Sequence, residues 1–434
     1  MRILLVAAPG VGHLLPAVPT MWAARAAGHE ILVATTGPSL DMAVRSGLPA
    51  VDVSPDGSAT AGYHQLAPRA LARRAEGEHT TEGDAAVQWQ GMTSAFGSSW
   101  STVRDHRPAE DADFLASLFA VSGRMIDGTV RIARDWRADL LMFTSFLAAG
   151  EIAATAVGIP SVLHGMGLPH PPATGLLGVL DDVATRHGVS GRLEPPAAVV
   201  DLCPETLRPP RSARGLPLRY VPYNGGALLS DLVCAVPRRP RICLTMGSVL
   251  PGAGADEVVQ AAIAVAAARD AEVVLAVDTP DESIRHRLPS NVIMSGWVPL
   301  SSVLPDCSVV VHHGGSGTTF TAFAHGTPQL VLPRMADQPL NADAVRRGGA
   351  GVVLAERDLD VATLTDSLDH VLGAEEIRRG CAAIRAEIEA MPGPAALLDR
   401  LAELAPPSPE VRGGDPGRRD GATVSRPGTA SGRS

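Results

Sequence analysis

Two short stretches carry residues whose types and spacing could do chemistry. The first is VVVHHGGSGTTF at 309–320, where three β-branched residues lead into His312 and His313 and then into Gly314, Gly315, Ser316, Gly317, Thr318 and Thr319. Glycines let backbone N–H groups converge where a side chain would obstruct them. A glycine-rich turn that feeds a helix N-terminus also gathers unpaired N–H groups and the positive end of the helix dipole at one spot. The pattern predicts an anion site with added hydroxyl donors. A nucleoside triphosphatase loop would need lysine after its last glycine, where Thr318 stands. A zinc site from His312 and His313 is disfavoured, because neighbours on a strand point to opposite faces. The plain alternative is a glycine turn with one packed and one exposed histidine.

The second stretch is AAPGVGHLLP, with His13 at the end of the first apolar run. An imidazole, ordinarily titrating near ~6.5, suits general base catalysis at neutral pH. Taken alone, a histidine opening a helix is more often structural. Ahead of the glycine loop, Trp297 in SGWVPL offers either a face for stacking a base or a core aromatic. Behind it, in LVLPRMADQPLNA, Asp337 and Gln338 set an acid beside an amide. Such a pair can hold sugar hydroxyls, or simply cap and turn before the next helix. Stacking face, anion cradle and hydroxyl clamp follow in that order at strand C-termini, where open α/β sheets bind ligands.

The elements that must position these residues are those of an α/β chain. RILLVA, a helix over LLPAVPTMWAARAAGHE and EILVATT open the sequence as β, α, β, and the rhythm returns at RADLLMFTSF, LAAGEIAATAVG and IPSVLHG. Continuous apolar strands joined by crossover helices imply parallel sheets buried on both faces. RICLTMGS, ADEVVQAAIAVAAARD, AEVVLAVD, NVIMSG and CSVVVHH make a second such unit. At 434 residues two domains are expected. We divide the chain into an N-terminal Rossmann-like domain at 1–205, a Pro- and Arg-rich linker at 206–238, and a second Rossmann-like domain at 239–375. C-terminal helices at 376–405 pack back toward the first domain, and a tail at 406–434 has almost nothing to bury. Residues 54–115 form a polar insertion too long for a simple connection. Within it Trp89, Met92, Phe96 and Trp100 could line an apolar pocket for a ligand or form a satellite core.

Charge and composition exclude several classes. With 37 basic against 46 acidic residues the formal charge is −9, which offers no broad footprint for nucleic acid. Five scattered cysteines without a C-x-x-C pair argue against a disulfide framework or zinc knuckle and fit a reducing cytoplasm. Glycine, histidine and proline interrupt the opening apolar run too early for a signal peptide, and no apolar run is long enough to span a membrane.

The stretch from GWVPLSSVLPDCSVVVHHGGSGTTF to QLVLPRMADQPLNADAVRRGGAGVVL resembles the donor-binding signature of GT-B fold glycosyltransferases, in particular actinomycete enzymes that attach deoxysugars to antibiotics. AAPGVGHLLPAVPTMWAARAAGHEILVATT resembles the family's opening, YVPYNGG its linker and MPGPAALLDRL its closing helix. VVDLCPETLR and YVPYNGG are similar to the subgroup acting on aromatic polyketides. The resemblance implies a GT-B fold, two Rossmann-like domains facing across a cleft. It also implies inverting, metal-independent transfer of a sugar from a nucleotide diphosphate, TDP above all, to a small natural-product aglycone.

Carried onto this sequence, it implies donor contacts from Ser248, Trp297, Val298, His312, Gly315, Ser316, Gly317, Thr318, Asp337 and Gln338. His13 stands where the family has its catalytic histidine. No cofactor or metal is expected beyond the nucleotide sugar, and a homodimer is common among such relatives. Asp111-Ala112-Asp113 and Asp358-Leu359-Asp360 look like metal-binding aspartate pairs, but we read both as structural.

One position departs from the family. The aspartate that orients the histidine is replaced by Thr144, followed by Ser145. Either Glu151, one helical turn onward, substitutes, or the acceptor is an acidic phenol that needs less base assistance; O- versus C-glycosylation stays open. The same departure motivates a non-catalytic reading of the scaffold, and a nucleotide-sugar epimerase would want acid and base groups crowded at the donor. A dinucleotide dehydrogenase fits poorly, since Leu15 stands where its third glycine belongs and ILVATT ends without an acid.

Overall fold

Short continuous apolar runs bounded by glycine and proline form strands covered on both faces. The structure, a computed structural model, describes residues 1–66, 120–169, 180–190, 193, 195–209, 212–229, 231–247, 264, 270–276, 288–294, 296–333, 337–355 and 360–405. In the first half lie β1 (Arg2–Val6), β2 (Glu30–Thr35), β3 (Ala50–Asp52), β4 (Leu140–Thr144), β5 (Ser161–His164), β6 (Ala198–Asp201) and β7 (Leu216–Pro217). They form one all-parallel sheet in the order β3-β2-β1-β4-β5-β6-β7. In the second half β8 (Arg241–Thr245), β9 (Glu272–Leu275), β10 (Val292–Met294), β11 (Val309–His312), β12 (Gln329–Val331) and β13 (Gly351–Val353) form another in the order β10-β9-β8-β11-β12-β13. Each order reverses once, between β1 and β4 and between β8 and β11. At such a reversal the loops on either side splay apart and leave a crevice.

The helix expected after β1 is broken into α1 (Val11–Leu14), a 3-10 turn at Leu15–Ala17 and α2 (Val18–Ala26). Pro16 and Pro19 explain the breaks: each sits in the first turn of a new segment, where a missing N–H costs nothing. The first half continues with α3 (Pro38–Arg45), α4 (Ser58–His64), α5 (Ile126–Asp135), α6 (Ala148–Val157) and α7 (Asp181–Arg186). Strand alternation sorts the core. Ile3, Leu5, Leu140, Met142 and Val162 pack with Val18 and Met21 of α2, whereas Leu4, Val6, Leu141, Phe143 and Leu163 pack with Val130 of α5 and Ile152 and Ala153 of α6. Thr144 continues the first set. Its neighbour in register, His164, is bonded through Nε2 to the Thr20 hydroxyl on α2 at 2.9 Å and through Nδ1 to the Gly165 carbonyl at 2.7 Å.

The second half carries α8 (Asp231–Cys234), α9 (Ser316–His325), α10 (Gln338–Arg347), α11 (Val361–Gly373), α12 (Glu375–Ala390) and α13 (Pro394–Leu404). The linker placed at 206–238 needs correction, because β7 lies inside it and is the last strand of the first sheet. Two residues are too few to show a strand period, so the Pro- and Arg-rich composition hid them. Beyond β7 the chain grips the second domain: the Tyr220 hydroxyl donates to the Gly317 carbonyl at 3.3 Å, and Asn224 bridges the Thr321 hydroxyl and the Ser301 N–H. The C-terminus returns, with the Arg219 N–H donating to the Pro392 carbonyl at 2.8 Å and α13 packing against α2. Among the described residues no helix is long and apolar enough to cross a membrane. The 406–434 tail lies outside them.

Candidate active site

The loops at the two sheet reversals build the site. On the second sheet, β11 ends at His312 and the chain turns through Gly314 at φ 91°, in the left-handed region. A Cβ there would meet Val331 Cγ1 at 2.9 Å and the Gln338 carbonyl at 3.1 Å, so only glycine lets α10 begin so close to the loop. Gly315 caps α9 without a side-chain bond, and the first helical bond at this end runs from the Thr319 N–H to the Gly315 carbonyl. The N–H groups of Ser316, Gly317 and Thr318 are thus at a helix N-terminus with no intrahelical acceptor, and a Cβ on Gly317 would meet nothing within 4 Å. Unpaired N–H groups at a helix N-terminus are suited to hold an anion.

The two histidines divide the work differently from expectation. His312, read as a donor contact, is fully buried; its Nε2 pairs with the Gln329 side-chain oxygen at 3.0 Å and its Nδ1 accepts from the Gly314 N–H at 3.1 Å. Both nitrogens are spent on shaping the turn, so we correct its role to support. His313 packs against the loop. A Cβ on Gly315 would lie 2.6 Å from its Nε2, and one on Gly247, in the loop after β8, would collide with the same ring. His313 therefore stands between the two loops that flank the reversal.

Burial pushes His312 down to about 3 and His164 down to about 4, so both are neutral in the folded state, while an unfolded histidine titrates near ~6.5. Groups with depressed folded pKa values contribute stability that is complete above the unfolded value and lost as pH falls toward the folded one. The melting temperature is expected to drop steadily from pH 6.5 toward 4, the two histidines giving a slope of up to about 2.7 kcal/mol per pH unit. A melting temperature flat between pH 7 and 5 in a calorimetric series would contradict this.

Asp337 precedes α10, but its carboxylate makes no capping bond there. Its Oδ2 accepts instead from the Ser316 hydroxyl at 2.6 Å and from Asn341 Nδ2 at 3.0 Å. The Asn341 amide also donates to the Gly314 carbonyl at 2.8 Å and thereby ties α10 to the loop. Ser316 is accordingly bound to Asp337, and Thr318 and Gln338 are buried close by in the first turns of their helices. Trp297 is 44% exposed and lies beside Gly225 of the linker, a face open to stacking. The Val298 side chain packs in the core with Leu300 and Val303, leaving only its backbone for a ligand. Ser248 lies outside the described residues.

On the first sheet His13 sits in α1, directly after the β1 loop, and Thr144 ends β4 across the reversal. Thr144 and Ser145 are fully buried, and neither hydroxyl has a hydrogen-bond partner among the described residues. Phe146 follows at φ 66°, a conformation costly for a non-glycine residue and typical of functional turns. Glu151 is buried on α6, whose core residues pack on the face of the sheet away from α2.

Sequence reasoning missed three residues here. Tyr63 on α4 presents its ring edge-on to His13, with centroids 6.4 Å apart and planes at 81°. Its hydroxyl fills the space a Cβ on Gly10 would take. Asn341 and His313 complete the set; the neighbouring Asp-Gln pair and the adjacent histidine were the signals that could have found them. Trp89, Met92, Phe96 and Trp100 lie outside the described residues, as do Asp111, Asp113 and Asp358. Asp360 caps α11, its Oδ1 accepting from the Thr363 N–H at 2.8 Å. Among the described residues no group of three His, Cys, Asp or Glu side chains is placed to hold a metal.

Two family models match the chain: the N-terminal domain of erythromycin biosynthesis protein CIII-like proteins over residues 22–247 and their C-terminal domain over 260–404. The elloramycin glycosyltransferase ElmGT of Streptomyces olivaceus is 38% identical over 410 residues, covering 92% of this chain and 97% of that protein. Among solved structures, the spinosyn rhamnosyltransferase SpnG complexed with thymidine diphosphate superposes with a TM-score of 0.73 at 29% identity, covering 93% of this chain and 100% of the other. The glycosyltransferase SnogD from Streptomyces nogalater gives 0.70 at 31% identity, with coverage of 94% and 99%.

Proposed function

The chain belongs to the EryCIII-like family of GT-B glycosyltransferases, and from that premise we propose that it moves a deoxysugar from a TDP-sugar to the hydroxyl of a polyketide-type aglycone with inversion. The observation that carries this reading is that His13 and the His313 cradle lie at the reversals of two separate parallel sheets, one loop set offering a base and the other an anion site.

The geometry supports the following roles. Trp297 stacks the base, and the N–H groups of Ser316 to Thr318 together with His313 hold the diphosphate. Asp337, fixed through Oδ2, turns its other oxygen to a sugar hydroxyl. The acceptor oxygen attacks the anomeric carbon opposite the leaving group; its proton passes to His13, and the C–O electron pair departs on the diphosphate. Attack from the opposite face inverts the anomeric centre. The reaction belongs to small molecules in the cytoplasm, in keeping with the net negative charge and the free cysteines. A homodimer is part of the same reading and is checked by the mass in solution.

The purified chain, incubated with TDP-linked deoxysugars and aromatic polyketide aglycones, is expected to yield an acceptor heavier by one sugar in mass spectrometry, with inverted anomeric coupling in NMR. Consumption of donor without any acceptor-dependent product would favour an epimerase, and no turnover with tight TDP binding would favour a non-catalytic protein.

A further inference from the structure

The glycine loop and the start of α10 are joined by a closed ring of side-chain bonds. Asn341 lies one helical turn after Asp337 on α10, so the two share a face of that helix, and Ser316 opens α9 against them. The Asn341 amide nitrogen donates to the Gly314 carbonyl at 2.8 Å, to Asp337 Oδ2 at 3.0 Å and to the Ser316 hydroxyl oxygen at 3.1 Å. Carbonyl and carboxylate oxygens only accept, so the amide is held with its nitrogen toward them. Its Oδ1 is buried without a partner, and the whole residue is buried, as is Ser316.

The Ser316 hydroxyl has one hydrogen to give, and Asp337 Oδ2 takes it at 2.6 Å. Turned toward a diphosphate oxygen, that hydroxyl would present only lone pairs. Ser316 can therefore serve the anion through its backbone N–H, while its side chain serves Asp337. Two donors converge on Oδ2 and leave Oδ1 for another partner. A carboxylate held by two hydrogen bonds on one oxygen cannot swing, and it presents the other oxygen in a single direction.

We propose that Asn341 and the Ser316 hydroxyl are positioning residues for the sugar: they aim Asp337 Oδ1 at a sugar hydroxyl without themselves touching the donor. Because the same ring includes the Gly314 carbonyl, it also couples this clamp to the loop that holds the diphosphate. The inference rests on the proposed transfer reaction and deepens its donor site, and its test separates the two.

The probes are TDP and TDP-glucose, titrated calorimetrically into the full chain, and the quantity read is the ratio of the two affinities. Any change at the diphosphate loop weakens both ligands alike and cancels in that ratio. Asp337→Asn, which keeps the shape and removes the charged acceptor, is expected to lower the affinity for TDP-glucose relative to TDP about tenfold or more. Asn341→Ala and Ser316→Ala are each expected to lower it about three- to tenfold. Made in the Asp337→Asn chain, Asn341→Ala should change the ratio by less than about twofold, because its effect passes through the carboxylate; a residue that only packed the helix would act equally in both backgrounds. Should Asn341→Ala fail to fold, the same cycle with Ser316→Ala, which deletes one oxygen, decides the matter. A ratio unchanged by Asp337→Asn, by Asn341→Ala or by Ser316→Ala, or equal effects in the two backgrounds, would each overturn the proposal and leave TDP binding standing. Absence of TDP binding to the wild type would remove the transfer reading beneath it.

Discussion

Replacing His13 with alanine lowers turnover by about 10² to 10⁴ and leaves TDP affinity unchanged, the size typical for loss of a positioned general base. The reason lies in the topology. His13 is carried on α1, beside β1 and the reversal of the first sheet, and the anion cradle belongs to a separate sheet. Removing the imidazole takes away the proton acceptor and touches no donor contact. Because hydroxyls rather than a carboxylate occupy the end of β4, the loss should shrink toward the lower end as the acceptor becomes more acidic. A series of phenols of graded acidity, assayed for kcat in the wild type and in His13→Ala, checks both statements. Near-normal turnover in the variant with the least acidic phenol would defeat the assignment.

The second large effect falls on the donor side. His313→Ala should weaken TDP binding by about 10- to 100-fold, the magnitude of losing a hydrogen bond to a charged group. Its ring is bracketed by Gly247 and Gly315 on the loops that flank the second reversal, whereas both nitrogens of His312 are engaged by Gln329 and the Gly314 N–H. The two histidines should therefore fail differently. His313→Ala should lose the more affinity, while His312→Ala should lower the melting temperature the more because it orphans a buried amide and the turn N–H. Paired TDP titrations and thermal melts separate them, and equal affinity loss with equal melting behaviour would refute the division.

Much of this was legible in the chain because the physics that sets it is local. RILLVA and CSVVV are continuous apolar runs and could only be buried strands; GGSG before TTF could only be a turn into a helix. The family resemblance assigns His13, Trp297 and Asp337 to a site from the sequence alone. What escaped depends on distant partners. Alternation says that His312 and His313 face opposite ways, but only the structure shows that His312 pairs with Gln329 and that His313 lies between the glycine loop and the loop after β8. Tyr63 lies in a polar stretch of weak periodicity, and its place is set by Gly10 in another loop. Asn341 owes its role to the close start of α10 against Gly314. β7 was invisible because two residues have no period.

The most direct measurement is a calorimetric titration of TDP, with UDP in parallel, into the full-length protein. A micromolar dissociation constant for TDP and a weaker one for UDP is the predicted result. An absence of binding by either nucleotide at millimolar concentration would contradict the reading of the second-sheet loops as a nucleotide diphosphate site, and with it the proposed transfer.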